Sequence, residues 1–319
     1  MSASPTTSPG QPPQPVLAPN PTISAFTGKA WRQLRRALLQ GSPDGNCRVE
    51  KLPDGILRYT AQLSREDVIS ILNAEANALP QATIKIDRKR SIHRVWLRDQ
   101  SFVLKTYHHL HRWLAVSPDR KSWLGAHRLN NNVPCYAWFR KHDRSSATII
   151  YGDAGNRDLY MPEWSHNPDT TTTALFRQAG GILAALHRQN IFHADTKPGN
   201  FVYMDSPTTN STLHLIDTDD VRCYWHLSTR RRLKNLAQFM GCTREDIPGE
   251  AYLAALTAFL NGYMQYYPTT ATVLVAQFPA IADAIAALYP ERHHLNHPIV
   301  SLLAKRLQAY QPDITTLPS

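Results

Sequence analysis

The segment "HADTKPGN", residues 193–200, brings together side chains that suit acid–base and metal chemistry. It follows an apolar run with helical spacing and precedes the short β-like stretch "FVYM", so it is too short to be a helix of its own. A carboxylate, an ammonium group and an amide are supplied by Asp195, Lys197 and Asn200. Phosphoryl transfer needs such groups, because its catalysis consists mainly of positioning and charge neutralisation. The segment therefore predicts phosphoryl-transfer chemistry if the rest of the chain supplies the remaining parts.

Two further residues complete the set, each at the end of a predicted strand. Lys105 ends "FVLK" and can reach nucleotide phosphates, while Asp217 ends "LHLID". Asn200 and Asp217 offer oxygen ligands to Mg²⁺. Asp195 can accept the proton of the attacking hydroxyl or orient it, and Lys197 can lie against the transferred phosphoryl group. The order and separation of these residues are typical of a kinase fold.

Length and composition limit the classes to which this protein can belong. The chain has 319 residues, enough for one large domain or two lobes, and no apolar run approaches the roughly 20 residues of a membrane-spanning helix. The N-terminus lacks a basic start followed by an apolar stretch, so we expect a cytoplasmic protein. The four cysteines lie far apart without a C-x-x-C pair, which favours reduced thiols over zinc or redox chemistry.

The positive charge is concentrated in one part of the chain. The formal net charge is +10, and residues 85–128 contain eleven Lys or Arg against three Asp. Such a field favours a polyanionic ligand or an anionic surface nearby, although a solvated basic face without a ligand explains the composition equally well.

Four regions follow from the pattern along the chain: a disordered Pro/Ser/Thr-rich tail (1–22), an N-terminal extension of helix, hairpin and helix (23–80), a strand-rich lobe (81–164) and a helix-rich lobe (165–319). We expect the basic amphipathic helix near residues 23–41 to dock on its own domain. The hairpin is expected around Pro53-Asp54-Gly55, three strands between residues 82 and 107, and a second hairpin in which "ATIIY" pairs with "DLYMPEW".

At these residues a family becomes recognisable. The segments "IFHADTKPGNFVY", "LHLIDTDDVR", "SFVLKTY" and "STRRRLKNLAQFM" together resemble the bacterial lipopolysaccharide core kinases, the Kdo and heptose kinases of the protein-kinase-like superfamily. The resemblance runs from about residue 84 to about residue 265. It implies an α+β, two-lobed protein-kinase-like fold, with a small antiparallel sheet in the N-lobe and a mostly helical C-lobe. ATP and Mg²⁺ are the implied cofactors. Lys105 would bind ATP phosphates, Asp195 would be the catalytic base, and Asn200 and Asp217 would hold metal.

The sequence departs from the general kinase pattern in two places. The segment "DRKRSIHRV" has no glycine where most kinases carry a glycine-rich loop, so we expect Ser91 and basic side chains to cover the phosphates. The helix predicted from residue 118 has no Glu to pair with Lys105, and its only carboxylate, Asp119, is at the wrong end. Either another acid substitutes or the lysine is held differently. Glu163, near the end of "DLYMPEW", completes the residues that we assign to cofactor binding.

Together with these residues, the resemblance implies an alcohol-group phosphotransferase that phosphorylates a Kdo or heptose hydroxyl of the lipopolysaccharide inner core. Its partners would be the lipid A glycolipid acceptor and, through peripheral contact, the anionic inner membrane. Arg230, Arg231 and Arg232 would then hold the acceptor near Asp195, but a solvated first turn of a helix explains these arginines at least as well. No nucleic acid is expected, because no binding motif accompanies the charge.

Two alternatives stay open at this point. One is a kinase of another small-molecule or protein acceptor, although Lys197 is unlike the aminoglycoside and choline kinase pattern and no Ala-Pro-Glu segment follows Asp217. The other is a pseudokinase, which the missing Glu and glycines favour and the intact polar set opposes.

Overall fold

The computed structural model describes residues 24–76, 82–110, 117–130, 132–160, 170–204, 212–241, 249–290 and 301–307. The tail predicted for residues 1–22 lies outside these ranges. None of the described helices is long and apolar enough to cross a membrane.

Among the described residues up to 152, the chain forms nine strands and three helices. In chain order they are β1 (Ser24–Ala25), α1 (Gly28–Gln40), β2 (Cys47–Lys51), β3 (Gly55–Thr60), α2 (Arg65–Ala76), β4 (Thr83–Ile86), β5 (Arg90–Leu97), β6 (Gln100–His108), α3 (Pro118–Arg128), β7 (Leu129–Asn130), β8 (Cys135–Lys141) and β9 (Ser146–Gly152).

The second part is mainly helical. Its elements are β10 (Arg157–Asp158), α4 (Thr170–Arg188), β11 (Ile191–His193), β12 (Phe201–Tyr203), β13 (His214–Leu215), β14 (Val221–Cys223), α5 (Thr229–Gly241), α6 (Gly249–Tyr266), α7 (Ala271–Ala276) and α8 (Phe278–Leu288). Residues 301–307 are also helical. Two short 3₁₀ turns, Pro198–Asn200 and Thr218–Asp220, follow the segments that carry the predicted site.

Seven strands form one antiparallel sheet in the order β2-β3-β8-β9-β6-β5-β4. Side chains alternate between its faces, so the neighbours Ile149 and Ile150 belong to different cores. Ile149 packs with Leu38 of α1 and Trp123 of α3, whereas Ile150 packs with residues of α2. The sheet is therefore covered by helices on both sides.

The structure confirms the predicted hairpin around Pro53 as β2–β3 and the three strands β4, β5 and β6. It also joins the segment predicted as an extension to the sheet, because β3 pairs with β8. Helix α1 docks on this lobe as expected: Leu38 is buried, and its carbonyl accepts a hydrogen bond from Trp123 Nε1 at 3.2 Å.

The second predicted hairpin is wrong. Strand β9, which contains "ATIIY", pairs with β6 and β8, while β10 pairs with β12 in the other lobe. The segment "GDAGN" is therefore a crossing between the lobes. Gly155 has a φ of +126°, and a side chain there would collide with the Tyr203 carbonyl, so this glycine is required by both conformation and space.

The helical lobe is built on the predicted apolar stripe of α4. Leu175, Phe176, Ala179, Ile182, Leu183 and Leu186 are all buried in its core. Helices α4 and α6 approach closely where Gly180 meets the Phe259 carbonyl. The α+β, two-lobed arrangement predicted for a protein-kinase-like fold, a small antiparallel sheet beside a mostly helical lobe, is confirmed.

Candidate active site

A cleft of about 520 Å³ lies between the sheet and the helical lobe. Its volume is within the range of small-molecule sites. Apolar side chains line it from both lobes: Ile84, Ile92, Val103, Val202 and Ile216. Cationic side chains also line it: Lys85, Arg90, Arg94, Lys105, Arg157 and Lys197. The cleft can therefore accept a flat apolar group together with anionic groups.

Lys105 lies on β6 and is 7% exposed. Its Nζ donates hydrogen bonds to Asp217 Oδ1 at 2.7 Å and to Asp219 Oδ2 at 3.0 Å. Burial alone would lower the pKa of Lys105, but attraction to the two carboxylates outweighs burial and the pKa is raised. The lysine is thus held as a cation.

Asp217 ends the β13 segment in a left-handed backbone conformation, with φ 61° and ψ 48°. Such strain in a residue other than glycine is concentrated at functional sites. Burial raises the pKa of Asp217, yet the charge and hydrogen bond of Lys105, with help from Arg90, bring the pKa below its usual value. Asp217 is therefore held as a carboxylate that faces the cations of the sheet.

The loop between β11 and β12 is closed on itself by Asp195. Its Oδ2 accepts hydrogen bonds from Lys197 Nζ at 2.7 Å and from Asn200 Nδ2 at 3.0 Å, and its carbonyl accepts a second bond from Asn200 Nδ2 at 2.8 Å. Buried His193 accepts the Asp195 backbone N–H on Nδ1 at 3.2 Å, which helps to hold the loop. The three predicted residues of this loop are adjacent in space.

Side chains of α5 also hold this loop, and the sequence analysis did not predict them. Asn235 Nδ2 donates to the His193 carbonyl at 2.5 Å, and Gln238 Nε2 donates to the Ala194 carbonyl at 2.5 Å. Thr196 Oγ1 donates to the Asn235 carbonyl at 2.9 Å. Two buried amides three residues apart, on the otherwise apolar face of a helix, are a signal in "KNLAQF" that could have predicted this network.

The turn between β4 and β5 is built without glycine. Asp87 Oδ1 accepts the backbone N–H groups of Lys89 and Arg90 at 2.8 and 3.0 Å, which closes the turn through a side chain. Those backbone bonds lower the pKa of Asp87.

The structure does not bring Ser91 to the cleft. Arg90 and Ile92 line the cleft, so Ser91 between them faces the other side of the strand. Its hydroxyl lies buried, 3.2 Å from His108 Nε2. The prediction that Ser91 covers phosphates is corrected by this alternation, and Arg90 is the side chain of this turn that lines the cleft.

Glu163 lies outside the described residues, so its assignment to cofactor binding stays a prediction. The arginines of α5 are used within the lobe: Arg232 Nη1 donates to the Tyr267 hydroxyl at 2.5 Å, and Arg231 lies over the Tyr224 ring at 4.1 Å. The residues that line the cleft include none of Arg230, Arg231 and Arg232 among those that the structure describes.

The crossing between the lobes is fixed by an ion pair that the sequence did not predict. Arg94 of β5 donates to both carboxylate oxygens of Asp153, at 2.7 and 3.2 Å, and to the Gly155 carbonyl at 3.0 Å. Asp153, Ala154 and Gly155 also line the cleft.

The only acidic residue of α3 binds side chains of the sheet. Asp119 is fully buried, and its Oδ2 accepts hydrogen bonds from Trp138 Nε1 at 2.9 Å and Arg140 Nε at 2.7 Å. Asp119 is therefore committed to a structural pair, and Lys105 takes its acidic partners from the segment after β13.

Asn200 and Asp217 fit a magnesium ion by the chemistry of their oxygens, and both line the cleft. Asn200 uses Nδ2 for its two bonds to Asp195, which leaves Oδ1 for a ligand. Within the described ranges no three His, Cys, Asp or Glu side chains converge on one point. A divalent ion here would need phosphate oxygens and water to complete its shell, as Mg²⁺ commonly does.

Comparisons with known proteins give similarity to solved structures but none to a known sequence. No profile of a known protein family matches the chain, and no curated protein sequence matches it. A solved structure described as "WaaP in complex with acyl carrier protein" is similar at 15% sequence identity and a TM-score of 0.42, covering 78% of this chain and 99% of that chain. At this level of similarity, the chemistry has to be judged from the side chains of the chain itself.

Proposed function

We propose that this chain is an ATP-dependent kinase that phosphorylates a sugar hydroxyl, Kdo or heptose, of the lipopolysaccharide inner core. The observation that carries the proposal is that Lys105, Asn200, Lys197 and Asp217 line one cleft, with Asp195 bonded to two of them. These residues come from three separate parts of the chain, and phosphoryl transfer uses all of their side-chain types.

The cleft offers distinct places to the two ends of a nucleotide. Ile92, Val103 and Ile216 can pack on the faces of the base, and the backbone of residues 153–155 can bond its edge. Lys105 and Arg90 provide positive charge for the phosphates. Asn200 and Asp217 would hold Mg²⁺, which when bound neutralises the charge that develops on the transferred group.

The loop residues provide the remaining chemistry. In the proposed reaction, the Asp195 carboxylate accepts the proton of the sugar hydroxyl while the hydroxyl oxygen bonds to the γ-phosphorus. The bond from that phosphorus to the β-phosphate oxygen breaks, and ADP is released. Lys197, already 2.7 Å from Asp195, orients the carboxylate and offers its charge to the phosphoryl group in transit. Asn200 holds Asp195 in place through its amide nitrogen.

The acceptor is proposed from charge and from the family resemblance. An inner-core glycolipid is anionic, and the positive charge of residues 85–128 together with Arg157 and Lys197 at the cleft is complementary to it. The same charge supports peripheral contact with the cytoplasmic face of an anionic membrane. The segments "IDTDD" and "RRRLKNLAQF" support this acceptor class over a protein substrate.

The test is transfer of labelled γ-phosphate from MgATP to Kdo-lipid A and to heptose-containing core acceptors. The wild-type protein is compared with Asp195→Asn and with Asp283→Asn, the same chemical change at an exposed position of α8. Label in a glycolipid that is lost only in Asp195→Asn supports the proposal and identifies the acceptor.

Two other results would count against it. Wild-type protein that binds MgATP but labels neither glycolipid overturns the acceptor class and points to another acceptor or a regulatory role. No binding of millimolar MgATP by the wild-type protein overturns the kinase assignment itself.

A further inference from the structure

We propose that Asp219 is a positioning residue for Lys105. It takes the place of the acidic partner that α3 does not provide, and it ties Lys105 to that helix in the nucleotide-binding arrangement. This inference rests on the proposed function, because the task of Lys105 there is to bind nucleotide phosphates.

Asp219 contacts Lys105 with both carboxylate oxygens. Lys105 Nζ lies 3.2 Å from Asp219 Oδ1 and 3.0 Å from Oδ2. A charge-assisted pair of this kind is stronger than a neutral hydrogen bond and restricts the ammonium group to one place. Asp217 also binds Lys105, but Asp217 is the carboxylate assigned to metal, so Asp219 is the partner free to stay with the lysine.

Two hydroxyl groups fix Asp219 in turn. Tyr107, two residues after Lys105 on β6, donates to Oδ2 at 2.7 Å. Ser122 of α3 donates to Oδ1 at 2.5 Å, and its Oγ is also 2.6 Å from the Tyr151 hydroxyl. The carboxylate therefore receives bonds from the strand that carries Lys105 and from α3, whose own acid, Asp119, is committed to the sheet.

The backbone around Asp219 is seated directly on α3. A Cβ atom at Gly125 of α3 would lie 2.0 Å from the Thr218 carbonyl oxygen, so only glycine permits this approach. Helix α3 thus contributes a hydroxyl and a flat contact surface, and the segment after β13 contributes the charge. A shift of α3 would move Asp219 and, through it, Lys105.

The neighbouring Asp220 has none of these contacts. Its side chain is 48% exposed and forms ion pairs at 3.6 Å with Lys121 and at 3.4 Å with Arg222. Asp220→Asn is therefore a matched control for Asp219→Asn, because it makes the same chemical change one residue along the chain.

The experiment measures the dissociation constant of MgATP by calorimetry, and kcat and KM wherever an acceptor is labelled. Asp219→Asn is expected to weaken MgATP binding about 10- to 100-fold, as for loss of hydrogen bonds to a charged group, and Asp220→Asn to change it less than about twofold. Thermal unfolding of each variant shows whether the fold is retained.

A double variant separates positioning from general stability. The exchange S122D/D219S moves the carboxylate onto α3 and the hydroxyl onto the loop. The double variant is expected to bind MgATP at least about tenfold more tightly than Asp219→Ser does. A residue with only a structural role would give no recovery in binding from this exchange.

The outcomes separate the two proposals. If wild type binds MgATP and Asp219→Asn binds it as tightly as Asp220→Asn does, the role of Asp219 is overturned while the kinase assignment stands. If wild type does not bind MgATP, the kinase assignment is overturned and this inference with it. If Asp219→Asn does not fold, Ser122→Ala decides: a loss of about 3- to 10-fold in affinity supports the tie to α3, and unchanged affinity overturns it.

Discussion

The two sides of the cleft position their charged groups by different means. On the sheet side, Arg90, Arg94 and Lys105 project from the neighbouring strands β5 and β6, whose register fixes their directions. On the helical side, Asp195 and Asn200 lie in an irregular loop that is held by side-chain hydrogen bonds from α5.

The difference shows what each side needs from the rest of the fold. A strand residue keeps its place as long as the backbone ladder is intact, whereas the loop depends on individual buried amides. Substitutions on the sheet side should therefore affect mainly nucleotide affinity, and substitutions beneath the loop should affect mainly the rate of the chemical step.

The largest expected effects come from the reacting groups themselves. Asp195→Asn should lower kcat about 10²- to 10⁴-fold with little change in KM for MgATP, because only the proton acceptor is lost. Lys105→Met should instead raise KM for MgATP as well as lower kcat. Steady-state kinetics with the labelled glycolipid measure both. Equal changes in KM for the two variants would contradict the division of tasks between the sides.

A smaller effect is expected beneath the loop. Asn235→Asp keeps the shape of the side chain but removes the Nδ2 donor to the His193 carbonyl. We expect kcat to fall about 10-fold and the MgATP dissociation constant to change less than about threefold, because the loop loses an anchor while the sheet side is untouched. Arg94→Gln, which loosens the sheet side at Asp153, is the counterpart that should change affinity and spare kcat.

Two glycine substitutions test the difference between the two sides of the cleft through packing. Gly125→Ala and Gly180→Ala each place a Cβ about 2 Å from a carbonyl oxygen, of Thr218 and Phe259 respectively. Each should lower the free energy of unfolding by about 1 to 3 kcal/mol, as overpacking commonly does. Chemical denaturation measures this loss. Only Gly125→Ala should also weaken MgATP binding, because only α3 rests on the segment that carries Asp219.

The smallest effect is a pH dependence shared by both lobes. Burial lowers the pKa of His127 in α3 to about 3 and that of His187 in α4 to about 4. The unfolded chain, with a histidine pKa near 6.5, binds more protons below that pH, so stability is lost as pH falls from about 6.5 towards 4. Each histidine contributes a slope of up to about 1.4 kcal/mol per pH unit. The difference in the free energy of unfolding between pH 7 and pH 5, measured from denaturation curves, should be smaller in His187→Gln than in wild type. An unchanged difference would refute the contribution of His187.

Local patterns were sufficient to predict most of the helices and strands. The apolar stripe of α4 and the strands β4 to β6 repeat with the periods of a helix and a strand, so their residues carry the signal themselves. Lys105 and Asp217 could be named because each was expected at the end of such a strand, although β6 continues to His108 and β13 ends at Leu215.

The errors have a common physical origin in contacts between distant residues. Pairing of β10 with β12 cannot be read from "ATIIY" and "DLYMPEW", which look complementary to each other. Ser91 was misplaced because a shift of one residue along a strand exchanges its faces. The partners of Asp219 lie 97 to 114 residues away in the chain, so only the folded structure brings them together.

The crossing between the lobes limits how the cleft can open. Arg94 holds Asp153 and the Gly155 carbonyl on the sheet side, and Arg157 pairs with Tyr203 on the helical side. Gly155 itself lies against the Tyr203 carbonyl, so this short segment is held to both lobes at once. The lobes also meet where Gly125 lies against Thr218 and where Asn132 Nδ2 donates to the Leu215 carbonyl at 2.7 Å. The cleft can therefore widen only if contacts at more than one place are released.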